Sequence, residues 1–356
     1  MRKESKKFLE KYLNNPSPTG FEASGQKLWL EYIKPYIEET IIDTYGTAVG
    51  VINPGKAYKV VIEAHSDEIS WFVNYIDKNG YIYVIRNGGS DHMIAPSMRV
   101  NLHTDKGIVK GVFGYPAIHV RKPGTDKVPE VENLFIDIGC ASKEEVEKTG
   151  VHVGTVATFV DGMMELNKDY LVCRALDNRI GGFMIAEVAR HLKEKKTKLP
   201  FTLYVVNSVQ EEIGLRGAEM ISRQLKPNVA ICTDVCHDTT SPVYNPKAQG
   251  DQACGKGPVL TYGPAVQNNL LRLIIETAEK EKIPFQRAAT SRSTGTDTDA
   301  FAYSAEGVAA ALISLPLKYM HTTVETVHYD DIENTIQLIL ASVKKIKNNQ
   351  DFRYIV

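Results

Sequence analysis

The hydrophobic positions of the chain repeat with a helical period near the N-terminus. Apolar residues recur every three or four positions in residues 4–13 and again in residues 23–36, which predicts two amphipathic helices separated by a proline-rich turn. Thr19 with Glu22 three residues later has the spacing of a capping box, so we expect the second helix to begin there. A β-branched run at residues 58–65 then predicts a buried strand.

The hydrophobic period changes in residues 69–165, where nearly every signal is that of a β-strand. The pattern predicts two hairpins and one short helix, at residues 69–86, 98–113 and 142–148 respectively. No other helix is expected in this stretch. It therefore predicts an all-β unit inserted into a chain whose flanking parts have a different character.

From residue 166 onward, predicted strands and helices alternate. The strands are expected at residues 170–174, 201–209, 229–233 and 309–315, and the helices at residues 178–194, 215–225, 267–281 and 331–347. This alternation is typical of an α/β sheet. The simplest organisation is an α/β domain made of residues 1–68 and 166–356, interrupted by an all-β domain of residues 69–165.

Composition and charge exclude several classes of partner. Of the 356 residues, 43% are hydrophobic and 24% are charged, which is typical of a globular protein. The formal net charge of −1 supplies no field for binding nucleic acid or an anionic membrane. No apolar run reaches the roughly 18 residues of a membrane span, and no secretory signal is apparent. Five cysteines without a Cys-x-x-Cys motif favour reduced thiols and a cytoplasmic location.

Histidines and carboxylates follow the apolar strands at the points where these strands are expected to end. Ligands of α/β sheets bind beyond the carboxyl ends of the strands, so we expect these side chains to converge on one crevice. Several acids at one edge would repel one another unless cations lay among them. The inventory suits two divalent metals with one bridging carboxylate. The candidate ligands are His65, Asp177, Glu212, Asp234 and His321.

Each candidate also has a simpler explanation. Glu211 and Glu212 could be the solvated start of a helix, and Asp177 could be an N-cap. Asp234 is harder to explain in this way, because an unpaired carboxylate is costly to bury behind the apolar residues that precede it. A buried thiol and a surface imidazole are favoured over metal ligation for Cys236 and His237. The other histidines are expected to be structural or exposed: His92, His103, His119, His152, His191 and His328.

Several ordered motifs resemble one known family, the tetrahedral-type co-catalytic metal aminopeptidases, which form metallopeptidase family forty-two. The resemblance covers nearly the whole chain. The motifs are Ala-His-Ser-Asp-Glu-Ile at 64–69, Ala-Leu-Asp-Asn-Arg at 175–179, Val-Gln-Glu-Glu-Ile-Gly-Leu-Arg-Gly-Ala at 209–218, Thr-Asp-Val at 233–235, Gly-Thr-Asp at 295–297 and Tyr-Met-His at 319–321. The resemblance implies a mixed-sheet catalytic domain of the zinc-aminopeptidase type, with helices on both faces and an inserted barrel-like (PDZ-like) β domain.

The resemblance also implies a role for each candidate residue. His65 and Asp234 would bind one metal, Glu212 and His321 the second, and Asp177 both. Asp67 would orient the His65 imidazole. Glu211 matches the general base, which would take a proton from a water shared by the metals and pass it to the leaving amine.

The implied function is a dinuclear metalloaminopeptidase that removes N-terminal residues from peptides. Zinc or cobalt are the implied metals, and the β domain would serve oligomerisation, into tetrahedral dodecamers, and access control. Two alternatives stay open: a glycoside hydrolase, as some relatives are labelled endoglucanase, and a non-catalytic, metal-stabilised peptide-binding assembly. The chain departs from the family pattern at Ser70, at Lys318 and in the loop at residues 293–300. The preferred first residue therefore stays open, as does the question whether Asp297 or Asp299 lines the substrate pocket.

Overall fold

A computed structural model of the protein describes residues 1–121, 124 and 128–355. Its helices are α1 (Lys3–Asn14), α2 (Ala23–Ile33), α3 (Lys143–Lys148), α4 (Leu176–Glu194), α5 (Arg216–Leu225), α6 (Pro246–Gln249), α7 (Asn268–Glu281), α8 (Asp297–Ala302) and α9 (Tyr329–Lys345). Its strands are β1 (Glu39–Ile42), β2 (Ala48–Ile52), β3 (Lys59–His65), β4 (Ser70–Ile76), β5 (Ile82–Asn87), β6 (Arg99–Thr104), β7 (Gly107–Phe113), β8 (Phe135–Asp137), β9 (Val156–Phe159), β10 (Met164–Leu166), β11 (Tyr170–Cys173), β12 (Thr202–Ser208), β13 (Val229–His237), β14 (Val259–Tyr262), β15 (Gln286–Ala289), β16 (Ala309–Leu317) and β17 (Glu325–His328).

A mixed eight-stranded sheet forms the centre of the α/β part, in the order β1-β2-β12-β3-β13-β16-β14-β15. Its four middle strands, β12, β3, β13 and β16, are mutually parallel. β2 and β14 flank them in antiparallel orientation. The carboxyl ends of the four parallel strands therefore meet at one edge, as the sequence predicts.

Helices cover both faces of this sheet, because successive side chains of each strand point to opposite sides. Ile62 of β3 and Ile231 of β13 pack into one large apolar cluster, which also contains side chains of α1, α2, α4, α7 and α9. The alternate residues Val61 and Ala230 pack into a second cluster, with side chains of α5 and α8. Within the described residues, no helix has the length and apolar character of a membrane span.

The six strands β4–β9 close into a separate barrel, in the order β4-β5-β8-β7-β6-β9. Trp71 and Phe113 meet edge to face in its core, with their ring centroids 5.5 Å apart. The chain enters the barrel directly after β3 and leaves it before β10. The mixed α/β sheet and the barrel confirm the expected fold class.

The start of α2 differs from the prediction. Glu22 occupies the N-cap and no side chain caps the helix, so the capping box expected from Thr19 and Glu22 is wrong. Thr19 instead donates its hydroxyl to Asp67 Oδ2 at 2.9 Å. Glu22 accepts the N–H groups of Gly20 at 2.7 Å and Gln210 at 3.2 Å. Both side chains are buried. Their hydrogen bonds serve the carboxyl edge of the sheet rather than the helix.

Candidate metal and catalytic site

The four parallel strands bring the predicted ligands to the carboxyl edge of the sheet. His65 is the last residue of β3, and Glu211 and Glu212 follow β12 after a short turn. Asp234 lies within β13, beyond Cys232, where its pairing with β3 ends. The remaining two candidates come from the first turn of α4 and from the loop after β16. They are Asp177 and His321.

Asp177 lies between the two imidazoles and faces each with a different oxygen. Its Oδ1 is 3.2 Å from His65 Nε2, and its Oδ2 is 3.3 Å from His321 Nε2. Asp234 Oδ1 lies 3.8 Å from the first imidazole, at His65 Nε2. Glu212 Oε2 lies 3.5 Å from the second, at His321 Nε2. All five predicted ligands are thus together, with Asp177 in the middle.

Glu211 lies on the same side as His65 and Asp234. Its Oε2 is 3.9 Å from His65 Nε2. Potential ligand atoms of His65, Glu211 and Asp234 lie within 4.8 Å of one another, and so do those of His65, Asp177 and Glu212. The two adjacent glutamates therefore face different parts of the site, and Glu211 is near enough to act either as a ligand or as a base.

The electrostatics of this cluster favour bound cations. Burial raises the pKa of Glu211 to about 10 and that of Asp234 to about 8, and neighbouring acids add to both shifts. Burial and the charge of Asp177 also raise the pKa of Glu212. The pKa of His65 is raised by Glu211 and Asp177 although burial opposes this. Divalent cations would offset the repulsion among the carboxylates, and imidazole and carboxylate groups are donors that such cations take in proteins.

Asp67 holds the backbone of both glutamates and lies next to the first imidazole. The N–H groups of Glu211 and Glu212 donate to its two oxygens, at 3.0 and 3.2 Å. His65 Nδ1 lies 3.3 Å from Asp67 Oδ1. The Thr19 hydroxyl donates to the other oxygen. Asp67 is fully buried, so these contacts fix the carboxylate and with it the turn after β12.

Two residues next to the site were not predicted from the sequence. Glu325 is buried and accepts the N–H groups of Asp177 at 3.0 Å and His321 at 2.7 Å. Gly89, which follows β5 of the barrel, lies directly against the second imidazole. A Cβ atom on Gly89 would be 2.6 Å from His321 Nδ1. The Gly88-Gly89 pair could have indicated that another part of the protein packs closely against the backbone there. No pattern in the sequence identifies that part as His321.

The site opens into a cavity of about 690 Å³. Asp299 lines this cavity, whereas Asp297 is only 2% exposed and lies beneath it. The Ser208 hydroxyl is 2.6 Å from both Asp297 Oδ2 and Glu63 Oε1. Of these two aspartates, Asp299 is therefore the one that lines the cavity. Cys236 and His237 also line the cavity, and neither belongs to the two potential metal-ligand groups of the described residues.

Comparisons with known proteins agree with this geometry. The model of the M42 glutamyl aminopeptidase family matches residues 46–338. The chain is similar to a lysyl aminopeptidase of Pyrococcus furiosus, with 34% identity over 343 residues, covering 96% of this chain and 97% of the relative.

Solved structures are similar over almost the whole chain. A TET aminopeptidase from a marine-sediment thaumarchaeon matches with a TM-score of 0.92 and 29% identity, covering 96% of each chain. The TET1 peptidase of Pyrococcus horikoshii matches with a TM-score of 0.85 and 29% identity, covering 96% of this chain and 100% of its own. The latter protein can assemble into a tetrahedron or a large octahedral shell.

Proposed function

The chain belongs to the M42 glutamyl aminopeptidase family and is a peptide-bond hydrolase of the aminopeptidase type, and we propose that it works with two divalent metal ions. Membership of this family confirms the resemblance seen in the motifs. The observation that carries the metal proposal is the position of Asp177, whose two oxygens face two different imidazoles. One carboxylate shared in this way is the arrangement expected of a bridging ligand between two metals.

The proposed ligands follow from these contacts. His65 and Asp234 would hold one ion, Glu212 and His321 would hold the other, and Asp177 would contribute to both. The ions are zinc or cobalt, since imidazole and carboxylate ligands suit both. When bound, they lower the pKa of a water molecule and polarise the scissile carbonyl group.

The protein groups supply the proton transfer. Glu211 accepts a proton from the attacking water on its side-chain carboxylate and passes it to the leaving amine. Neighbouring cations favour the ionised form of Glu211, which a base needs. Asp67 holds the backbone of Glu211 and the His65 ring in register. The cavity admits a chain end, and the free α-amine of the substrate is recognised within it.

A panel of aminoacyl p-nitroanilides and short peptides tests this function, with added zinc or cobalt and with a chelator. We expect activity to be lost on chelation and restored by metal. The Glu211→Gln variant should lose at least about a hundredfold in kcat while it retains its metal. Glu306→Gln, an equal change at an exposed residue near the opposite end of β16, serves as the control.

Four results would contradict the proposal. Activity that survives chelation would show that the reaction does not need the metals. Full activity of Glu211→Gln would exclude Glu211 as the general base. Cleavage of soluble cellulose derivatives without cleavage of peptides would favour the glycoside hydrolase, and tight peptide binding without any cleavage would favour the non-catalytic assembly.

We further propose that residues 69–165 form a separate domain that mediates assembly and controls access, interrupting a catalytic domain of residues 1–68 and 166–356. The outer surface of the barrel and its loops exposes large apolar side chains, including Ile108, Ile118 and Val153. Exposed apolar groups of this kind favour an interface between copies of the chain. By analogy with its structural relatives, the assembly is a tetrahedral dodecamer. A monomer alone in sedimentation at micromolar concentration would contradict it.

The cytoplasm is the proposed location. All five cysteines lie in the described part of the chain and are free thiols there. Reduced thiols fit a reducing compartment. Fractionation of the producing cells tests this directly, with activity expected in the fraction that contains cytoplasmic marker enzymes.

A further inference from the structure

Part of the cavity lining takes no part in the proposed metal chemistry, and we call this part the wall. It is formed by the end of β13, by Met320 and by the loop that leads into α8. Val235, Cys236 and Met320 give this wall an apolar part. This wall is where a substrate side chain next to the scissile bond can lie.

Asp299 is the carboxylate of this wall, and the loop holds it in place. Its oxygens accept the N–H of Thr294 at 3.0 and 3.1 Å and the N–H of Gly295 at 3.2 Å. A carboxylate has about four lone-pair positions, so it retains capacity for a further donor. The backbone contacts fix the charge at the cavity without neutralising it.

The charges around Asp299 are unbalanced. Among the described residues that line the cavity there is no lysine or arginine. The four other carboxylates of the cavity are taken up by the proposed metals and base. Asp299 is therefore the acid whose charge is available to the substrate side chain.

We propose that Asp299 selects peptides whose first residue is cationic, lysine or arginine, an inference that rests on the proposed aminopeptidase function. The methylene groups of such a residue pack along the apolar part of the wall, and the charged end reaches the Asp299 carboxylate. An acidic first residue meets the same carboxylate and is repelled. A neutral aliphatic residue packs against the wall but has no charge to pair with the Asp299 carboxylate.

The test compares lysyl, norleucyl and glutamyl p-nitroanilides on the metal-loaded enzyme. Norleucine has the same linear stem as lysine without the ammonium group, so their ratio of kcat/KM isolates the charge. We expect lysine to exceed norleucine by at least about tenfold, and glutamate to be the poorest substrate. In Asp299→Asn the lysine-to-norleucine ratio should fall about tenfold.

Asp330→Asn is the matched control, because Asp330 also lies in the first turn of a helix but its side chain is 82% exposed away from the cavity. Its ratio should equal that of the parent enzyme. A parent ratio near one, or an unchanged ratio in Asp299→Asn, would overturn the inference.

Calorimetry separates this inference from the proposed function. L-arginine and L-norleucine are titrated into the zinc-loaded protein and into its Asp299→Asn variant. Tighter binding of arginine that is lost in the variant supports the selection, even if no amide is cleaved and the proposed function fails. Equal binding of the two amino acids contradicts it, even if aminopeptidase activity is high.

Discussion

Replacing Thr19 by valine removes one buried hydrogen bond to the carboxylate that holds the catalytic turn. The Thr19 hydroxyl is 1% exposed and donates to Asp67 Oδ2 at 2.9 Å. A hydrogen bond to a charged group contributes about 1.5–3 kcal/mol. Asp67 keeps its two backbone donors, so we expect a loss near the lower end, about 2 kcal/mol. At about 1.4 kcal/mol per factor of ten, kcat/KM should fall roughly thirtyfold if the loss falls on the transition state.

Steady-state kinetics with a lysyl p-nitroanilide measures this loss, beside the metal content of the purified protein. Thr19→Val should lower kcat more than it raises KM, because the hydroxyl donates to Asp67, which in turn accepts the Glu211 N–H, and Thr19 does not line the cavity. Thr19→Ser restores the hydroxyl and should recover activity to within a few fold. Activity of Thr19→Val within twofold of the parent enzyme would refute the reasoning, as would a Thr19→Ser variant as impaired as Thr19→Val.

Three further changes test other parts of the site. Burial raises the pKa of Asp234 to about 8, whereas its pKa in the unfolded chain is about 4. Between these two pH values folding takes up a proton, so the free energy of unfolding falls as the pH rises. The chelator-treated protein should therefore melt at a lower temperature at pH 8 than at pH 6, and added zinc should reduce the difference. Gly89→Ala places a Cβ 2.6 Å from His321 Nδ1 and should lower the zinc content while circular dichroism stays unchanged. Arg174→Met removes the nearest ion-pair partner of the buried Glu68, which keeps the Ser17 N–H and the more distant Arg179 guanidinium. We therefore expect a cost near the lower end of about 3–5 kcal/mol of unfolding free energy in denaturant titrations, and adding Glu68→Gln should recover much of it.

The convergence of the candidate ligands was predictable because each belongs to a short pattern with a physical meaning. Apolar strands that end in a histidine or an acid predict a polar edge, and parallel strands bring such ends together. His65 and Glu212 follow this rule directly. Asp234 follows it only approximately, since β13 continues to His237 instead of ending at residue 233. β13 continues this far because β16 pairs with it along its whole length. The sequence of β13 alone does not indicate that pairing.

The supporting residues were not predictable, because their partners are distant in the chain. Thr19 and Glu22 have a sequence spacing that suits a helix cap, yet their hydrogen bonds go to Asp67 and Gln210. The spacing of two residues in the sequence indicates only partners that are close in the chain. Here both side chains are buried beside the turn after β12, and their hydrogen bonds are made there instead of at the helix. Glu325 shows the same limit, since a single buried acid has no period or motif to distinguish it.

The contacts of the N-terminal segment connect the barrel to the proposed active site. Thr19 donates its N–H to the carbonyl of Glu68 at 3.1 Å, next to Asp67. Its own carbonyl accepts Asn87 Nδ2 of the barrel at 2.9 Å. Two residues after Asn87, Gly89 lies against His321. A displacement of the barrel therefore moves both the carboxylate that holds the proposed base and the second imidazole, so an enzyme with the barrel deleted should lose catalysis even where the α/β sheet still folds.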